Sequence, residues 1–436
     1  MAVLIAVALW PCSSPAQSAD WTVMVYMNAK NNLEVDALDN FYSMAQVGGN
    51  DRVNLVVQMG RPAKHYTDSD DAWSGVMRFL VKRDTKPRPG DAVEDLRQGG
   101  EVDMGAPDTL AKFVDWSMEK YPATRYMLII WNHGQGWRFQ LAREFNVRAM
   151  ASSRSLTANA SSQLKSSLSS VPPLNGYRSV SLDEDTGNIL FNRDIQGVLD
   201  KRFTNKKLDV LGFDACLMSM VETAYAFRNS VGTMVGSEEL EPGEGWQYAA
   251  WLLPLLKNPR LDGAGLAKAV VASYQKRYGD VNLTTLSALD LSRAEEVAGA
   301  TSALGGELQR RLSSERGAID KARSGITPYG QAARLATSVD LDFFLERYGA
   351  RTSNGTIKSL VDKLRASLKK MTIVNYASKR DLPMYGSRGL AIYFPATQAD
   401  YDQDPDHSGY RKSNTDHPVE FVQKQQWADF LSAYLQ

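Results

Sequence analysis

The chain has 436 residues, 43% hydrophobic and 23% charged, the balance of an ordinary folded protein able to bury a large core. Basic and acidic residues number 50 each, so no electrostatic footprint points to nucleic acid or to an anionic membrane surface. No internal repeat is visible, and after the first nineteen residues no stretch is apolar enough to span a bilayer.

Ala2–Trp10 is a short apolar run followed by Pro11 and small residues, with Ala16 and Ser18 spaced for signal-peptidase cleavage. The expectation is a leader over 1–19 and export to the periplasm or outside the cell, although the first basic residue is Lys30. Cys12 is a poor lipid-anchor candidate, because Trp10 and Pro11 precede it. With the leader removed, Cys216 is the one remaining cysteine and no intrachain disulfide can form.

Trp21–Asn28 alternates and is rich in Val, Tyr and Met, which predicts a central strand. Leu33–Val47 carries Leu33, Ala37, Phe41, Met44 and Ala45 at helical spacing and ends at Gly48-Gly49, so it reads as a helix. Val53–Met59 is a second buried strand, and Gly75–Val81 is an exposed edge strand or half of a hairpin. Pro107–Tyr121 is a helix with proline at its start. Met127–Trp131 is a third buried strand, stopped by Gly134 and Gly136. Alternation of this kind predicts a parallel-rich sheet with helices on both faces.

Arg138–Val180 breaks the rhythm. Its middle, about 139–178, is rich in Ser, Ala and Asn, too poor in core-forming residues to offset the entropy of ordering, and predicts a mobile loop. Ser179–Leu190 reads as a hairpin, Arg193–Phe203 as a helix, and Leu208–Phe213 as a strand delivering Asp214 and Cys216. A helix Leu217–Phe227 and a strand Gly232–Ser237 follow. Beyond about 258, helices are expected at 261–278, 292–312, 356–368 and 420–435, and strands at 284–289 and 389–394. The expected organisation is a catalytic domain over 20–258 with a mixed α+β region, 259–436, packed on it.

Two strand ends carry the chemistry. Asn132-His-Gly-Gln-Gly-Trp137 places His133 in a glycine turn, and Gly212-Phe-Asp-Ala-Cys-Leu-Met218 places Cys216 after a matching strand. Ligands bind beyond the carboxyl ends of parallel strands, so neighbouring strands would set an imidazole beside a thiol. A thiolate is the nucleophilic form, favoured by a nearby histidine or a helix amino terminus, here expected near Leu217. The Gly134 N–H is suited to an oxyanion. Asp214, two residues before Cys216, falls on the same strand face. Each residue also has a plain structural reading: Cys216 as a small buried apolar group, His133 as a satisfied core histidine, Asp214 as a cap on the following helix. His65, His407 and His417 lie in polar loop-like sequence, and no spacing suits zinc.

These motifs, with Glu222 and Gly236-Ser-Glu-Glu-Leu-Glu-Pro-Gly-Glu-Gly-Trp246, resemble the clostripain family of cysteine peptidases, in the caspase-like clan with legumain and the gingipains. The resemblance runs from about Trp21 to about Trp251 and returns at Arg388–Pro395. It implies a caspase-like three-layer α/β/α sandwich and a Cys216–His133 dyad without an essential third member. It also implies cleavage of protein or peptide substrates after Arg or Lys, with Asp214 and Glu244 lining the substrate pocket. The family residue at Glu244 is shorter, which alters pocket depth. Glu238 reads as undecided, and Glu239 and Glu241 as a solvated acidic loop. No cofactor is expected; calcium dependence is known in the family, but no calcium-binding loop motif is present. The family is processed between its two motifs, which implies self-cleavage of the long loop, near Arg143, Arg148, Arg154 or Lys165, most plausibly after Arg148 or Arg154. The rival readings are an inactive exported binding or scaffold protein of the same fold, and a cysteine amidase acting on a non-protein substrate.

Overall fold

The structure is a computed structural model and describes residues 18–67, 72–138, 181–279, 281, 283–330, 337–378 and 385–436. Most of the leader and the 139–178 loop, with Arg143, Arg148, Arg154 and Lys165, lie outside the described residues.

At the centre is β1 (Ala19–Asn28), paired in parallel with β2 (Val53–Arg61) on one side and β5 (Ala123–Trp131) on the other. Next to β5 come β8 (Leu208–Asp214) and β9 (Val231–Gly236), also parallel. Antiparallel strands finish both sides: β3 (Gly75–Leu80) and the two-residue β4 (Glu94–Asp95) beyond β2, β10 (Thr285–Asp290) and β12 (Thr372–Ala377) beyond β9. The nine-stranded order is β12-β10-β9-β8-β5-β1-β2-β3-β4. Two small sheets pair β6 (Leu182–Asp183) with β7 (Asn188–Ile189), and β11 (Ser338–Asp340) with β13 (Ala391–Tyr393).

The core strands are apolar on both faces because both faces are covered. In β1 the alternation sends Met24 and Tyr26 to one core and Trp21, Val23, Val25 and Met27 to the other. The second core is closed by α1 (Glu34–Ala45) and, later in the chain, by 248–257 and 263–278. The first is closed by α2 (Pro107–Lys120), α3 (Asn192–Arg202) and α4 (Val221–Phe227), and by the helix 294–310. This is the three-layer α/β/α sandwich that the sequence predicts. Among the described residues no helix is long and apolar enough to cross a membrane.

One expectation is narrowed and two change. The Gly75–Val81 segment forms a buried strand returning antiparallel beside β2, the hairpin alternative rather than the exposed edge, and β4 pairs along part of its outer side. The helix expected from Leu217 starts at Val221, because the chain first turns through Leu217 at φ 62°. The closing helix is two short ones, Glu420–Lys424 and Trp427–Tyr434, separated at Gln425-Gln426.

The last described residue before the long loop is fastened from far along the chain. Arg138 donates to Asp404 at 2.9 Å, both side chains almost wholly buried, and Thr337 adds a hydroxyl to the same carboxylate at 3.0 Å. Burial alone would push the Asp404 carboxyl up, yet Arg138 more than reverses this and holds it below the usual carboxylate value. Removing one partner of a buried pair strands the other charge. Asp404→Ala should therefore cost about 3–5 kcal/mol of stability, measurable by chemical denaturation.

Candidate active site

β5 and β8 run side by side from Met127 opposite Val210 to Trp131 opposite Asp214, so both strands stop at the same level. The Asn132 N–H continues the ladder by donating to the Asp214 carbonyl at 3.3 Å. The following turns lie against each other. A Cβ on Gly134 would stand 2.3 Å from the Cys216 carbonyl oxygen and 2.9 Å from its nitrogen, so the approach needs a residue without a side chain. One narrow pocket is lined by His133, Asp214, Cys216 and Glu241 together, with Leu33, Gly243 and Gly245 among its other walls.

His133 is held from two directions. The Asn132 side chain accepts the His133 N–H at 2.5 Å and donates to the Asn28 carbonyl at 2.7 Å, fixing the turn to the end of β1. At the ring, Nε2 lies 2.8 Å from Oδ1 of Asn32, in the loop between β1 and α1. That amide oxygen can only accept, so Nε2 carries the proton in this contact. Asn32 did not stand out in the sequence, where nothing links it to His133.

Cys216 lies in the turn after β8 and is 6% exposed. Its sulfur accepts the Glu241 N–H at 3.2 Å. The expected helix-terminus support is corrected: α4 begins five residues beyond the cysteine, and a dipole effect fades within the first turn. Leu217, immediately after the cysteine, holds a left-handed backbone that non-glycine residues rarely adopt. Its N–H donates to the Glu239 carbonyl, and that of Ser219 to Ser237, stitching the turn to the 237–246 loop.

Asp214 does not cap the helix after it. Its Oδ2 accepts the Trp246 N–H at 3.2 Å and the Tyr248 hydroxyl at 2.8 Å. Gly245 at φ 57° passes so close that a Cβ there would lie 2.7 Å from Oδ1. Glu244 is half-buried, its carbonyl accepting from Asn40, and the pocket wall is formed by its glycine neighbours instead.

The expectation of a solvated acidic loop is overturned. Glu238, Glu239 and Glu241 are 1%, 4% and 5% exposed. Backbone N–H groups from distant segments meet two of them: Gly389 donates to Glu238 and Gly330 to Glu239, both at 2.9 Å. Glu241 Oε2 accepts the Trp246 indole N–H at 3.1 Å. Two of the three also face an aspartate, Glu238 meeting Asp340 and Glu241 meeting Asp214. Burial first, then the facing aspartate, pushes both glutamates well above the usual carboxylate range. Burial also lifts Asp214 to about 7 and Asp340 to about 6, against the hydrogen bonds they accept. Two carboxyls buried face to face disfavour ionisation of both at once. Among the described residues no group of three or more His, Cys, Asp or Glu is placed to hold a metal ion.

A parallel-rich α/β/α sandwich whose adjacent central strands end on a histidine and a cysteine defines the caspase-like class. Within it, a model of the Peptidase_C11 clostripain family matches residues 25–175 and 168–434, and the chain belongs to that family. Clostripain of Hathewaya histolytica is 28% identical over 244 residues, covering 52% of this chain and 40% of that protein, so the match spans less than half of that relative. An inactive zymogen C11 protease from Parabacteroides distasonis superposes with a TM-score of 0.60 at 17% identity, covering 96% of this chain and 99% of that one. A secreted C11 cysteine protease from Bacteroides thetaiotaomicron, solved with an irreversible peptide inhibitor, gives 0.55 at 17% identity over 95% and 99%. At these identities the two structures speak for the fold.

Gly134→Ala tests the approach of the two turns. The new methyl must push the Cys216 backbone aside, and overpacking of this kind costs about 1–3 kcal/mol. The expected result is a lower denaturation midpoint with an unchanged denaturant slope.

Proposed function

We propose that the protein is a cysteine endopeptidase that cleaves after arginine or lysine, with Cys216 as nucleophile and His133 as its acid–base partner. The observation that carries this reading is the register of β5 on β8, which ends both strands level and brings both side chains into one pocket. Family membership supports the reaction class, and the inhibitor-bound bacterial relative supports a peptide substrate.

In the proposed reaction the Cys216 thiolate attacks the scissile carbonyl carbon and the carbonyl electrons move onto oxygen. The Gly134 N–H is the candidate donor to that oxyanion. His133 protonates the departing amine as the C–N bond breaks, leaving a thioester that water hydrolyses. The N–H of Glu241 donates to the sulfur and helps hold it in the pocket, and Asn32 keeps the imidazole from turning. Asp214, in the same pocket, is the acid that meets the basic substrate side chain. No cofactor is needed for these steps.

The sequence before β1 supports export, and the B. thetaiotaomicron relative is described as secreted. The inter-motif loop carries Arg143, Arg148, Arg154 and Lys165, residue types that the proposed specificity would cut after, and this supports activation by self-cleavage between His133 and Cys216.

Cys216→Ala should abolish hydrolysis of arginyl peptide substrates while leaving the fold intact. Purified side by side, wild type should yield two fragments with a new amino terminus after Arg or Lys, and the variant one chain. Equal nicking of both would sink self-processing. Asp214→Asn should lower kcat/KM on arginyl substrates by about 30-fold or more, since loss of a buried charge partner costs at least about 2 kcal/mol. A peptide-library profile led by Asp, Asn or large apolar residues would sink the basic specificity.

A further inference from the structure

His65 has no visible setting in the sequence, yet in the fold it meets a buried carboxylate. Its Nδ1 lies 2.8 Å from Oε1 of Glu34, the first residue of α1. Arg61, the last residue of β2, donates from Nε to the same oxygen at 2.7 Å, and the Tyr66 N–H donates to Oε2 at 2.7 Å. The Glu34 and Arg61 side chains are 0% and 2% exposed. Three donors on one carboxylate, all from 61–66, tether the start of α1 to the segment after β2. The helix takes no side-chain cap at Leu33, so the carboxylate serves the tether rather than the helix end.

The other end of the same loop is fixed as firmly. Asn31, wholly buried, donates its amide to the Leu182 carbonyl at 3.0 Å and to the Asn28 carbonyl at 3.3 Å. Its Oδ1 accepts the Leu33 N–H at 2.9 Å. Between these anchors stands the half-buried Asn32, whose side chain meets His133 Nε2 at 2.8 Å. Contacts therefore run in step across four neighbouring strand ends. Glu34 joins the end of β1 to that of β2, Asn32 joins β1 to β5, and Gly134 seats the β5 turn on the β8 turn.

We propose that Glu34 is a positioning residue for the reaction: clamped by Arg61 and His65, it sets the place of Asn32 and, through it, the tautomer and tilt of His133. This rests on the reading of His133 as the acid–base partner of Cys216. With the Nε2 proton given to Asn32, Nδ1 is the nitrogen that exchanges protons. The thiol proton passes from sulfur to Nδ1, leaving thiolate and imidazolium, and then from Nδ1 to the amine nitrogen as the C–N bond breaks. Nε2 keeps its own proton throughout. A ring that tilts or changes tautomer loses this path, and a misplacement of about 1 Å can cost about 100-fold in rate. Leu33 belongs to the pocket wall and Glu34 does not, so a lost clamp lowers kcat more than it raises KM.

Two measurements on the full chain test the clamp. The first compares kcat on fluorescein-labelled casein, which assumes no residue preference, for Asn32→Ala, Glu34→Gln and the double variant. Each single change should lower kcat by about tenfold or more, with a much smaller change in KM. Because Glu34 acts through Asn32, the double variant should be no slower than Asn32→Ala alone. Losses that simply add, as two independent structural defects would give, overturn the inference. So does a Glu34→Gln enzyme of unchanged kcat. The second measurement records 15N spectra of histidine-labelled Cys216→Ala protein, with the His133 signals assigned by their loss in His133→Ala. The expected form is Nε2–H, giving way to a mixture of tautomers when Glu34→Gln is added. An Nδ1–H ring, or a tautomer that Glu34→Gln leaves unchanged, overturns the inference whatever the enzyme cleaves. Should Glu34→Gln fail to fold, His65→Ala at the solvent end of the clamp takes its place, with the same pattern expected at smaller size. Proteolysis that survives His133→Ala overturns the acid–base reading itself, and this inference with it.

Discussion

The parallel pairing of β5 with β8 is the constraint on which everything at the site depends. Their hydrogen bonds fix Trp131 opposite Asp214, and a slip of one residue would turn every side chain of one strand to the other face. Because both faces of this sheet are apolar cores, such a slip would bury the wrong groups along the whole strand. The register is therefore held by the two cores rather than by the polar residues at the strand ends. His133 and Cys216 inherit their positions from it. Gly134 then lets the backbones of the two turns close to a separation that any Cβ would forbid.

The 237–246 loop is the second organising feature. It joins the cysteine turn through the N–H of Leu217 and of Ser219, and it reaches the sulfur through the N–H of Glu241. Three buried glutamates in so short a stretch would be prohibitive as three free carboxylates. Two of them face aspartates and are pushed above the usual carboxylate range by burial, and the third accepts backbone N–H groups, including that of Gly330. Aromatic groups at the end of the loop, Trp246 and Tyr248, supply the donors that hold Asp214 and Glu241 in place.

Much of this support comes from beyond residue 330. Asp340 and the Gly389 N–H hold Glu238, and the Gly389 carbonyl accepts from Ser219 at 2.7 Å, one turn past the cysteine. Glu222 in α4 accepts from Tyr410 at 2.6 Å and from the Tyr393 N–H at 3.0 Å. Asp404 fastens Arg138 at the close of the histidine motif. The carboxy-terminal part extends the sheet with β10 and β12, and it also holds both motif turns from behind.

Local pattern was enough for the α/β class and for placing His133, Asp214 and Cys216 at the ends of neighbouring strands. Apolar runs such as Met127–Trp131 and Leu208–Phe213, each stopping at a reactive side chain and a turn, announce buried strands delivering chemistry, because strand formation there is dictated by burial on both faces. The leader and the long inter-motif loop also rest on local composition alone. Tertiary structure decided what depends on partners remote in sequence. Glu239 and Glu241 read as a solvated loop because acidic residues usually seek water; the groups that make burial possible, Gly330 and Asp214, lie 91 and 27 residues away. The helix near Leu217 failed for a related reason. Helical propensity is a weak preference, and contacts with the 237–239 segment hold Leu217 in a left-handed turn that no local pattern announces. Asn32 could be matched to His133 only once β1 was known to lie beside β5, a fact of sheet order that a one-dimensional pattern does not contain.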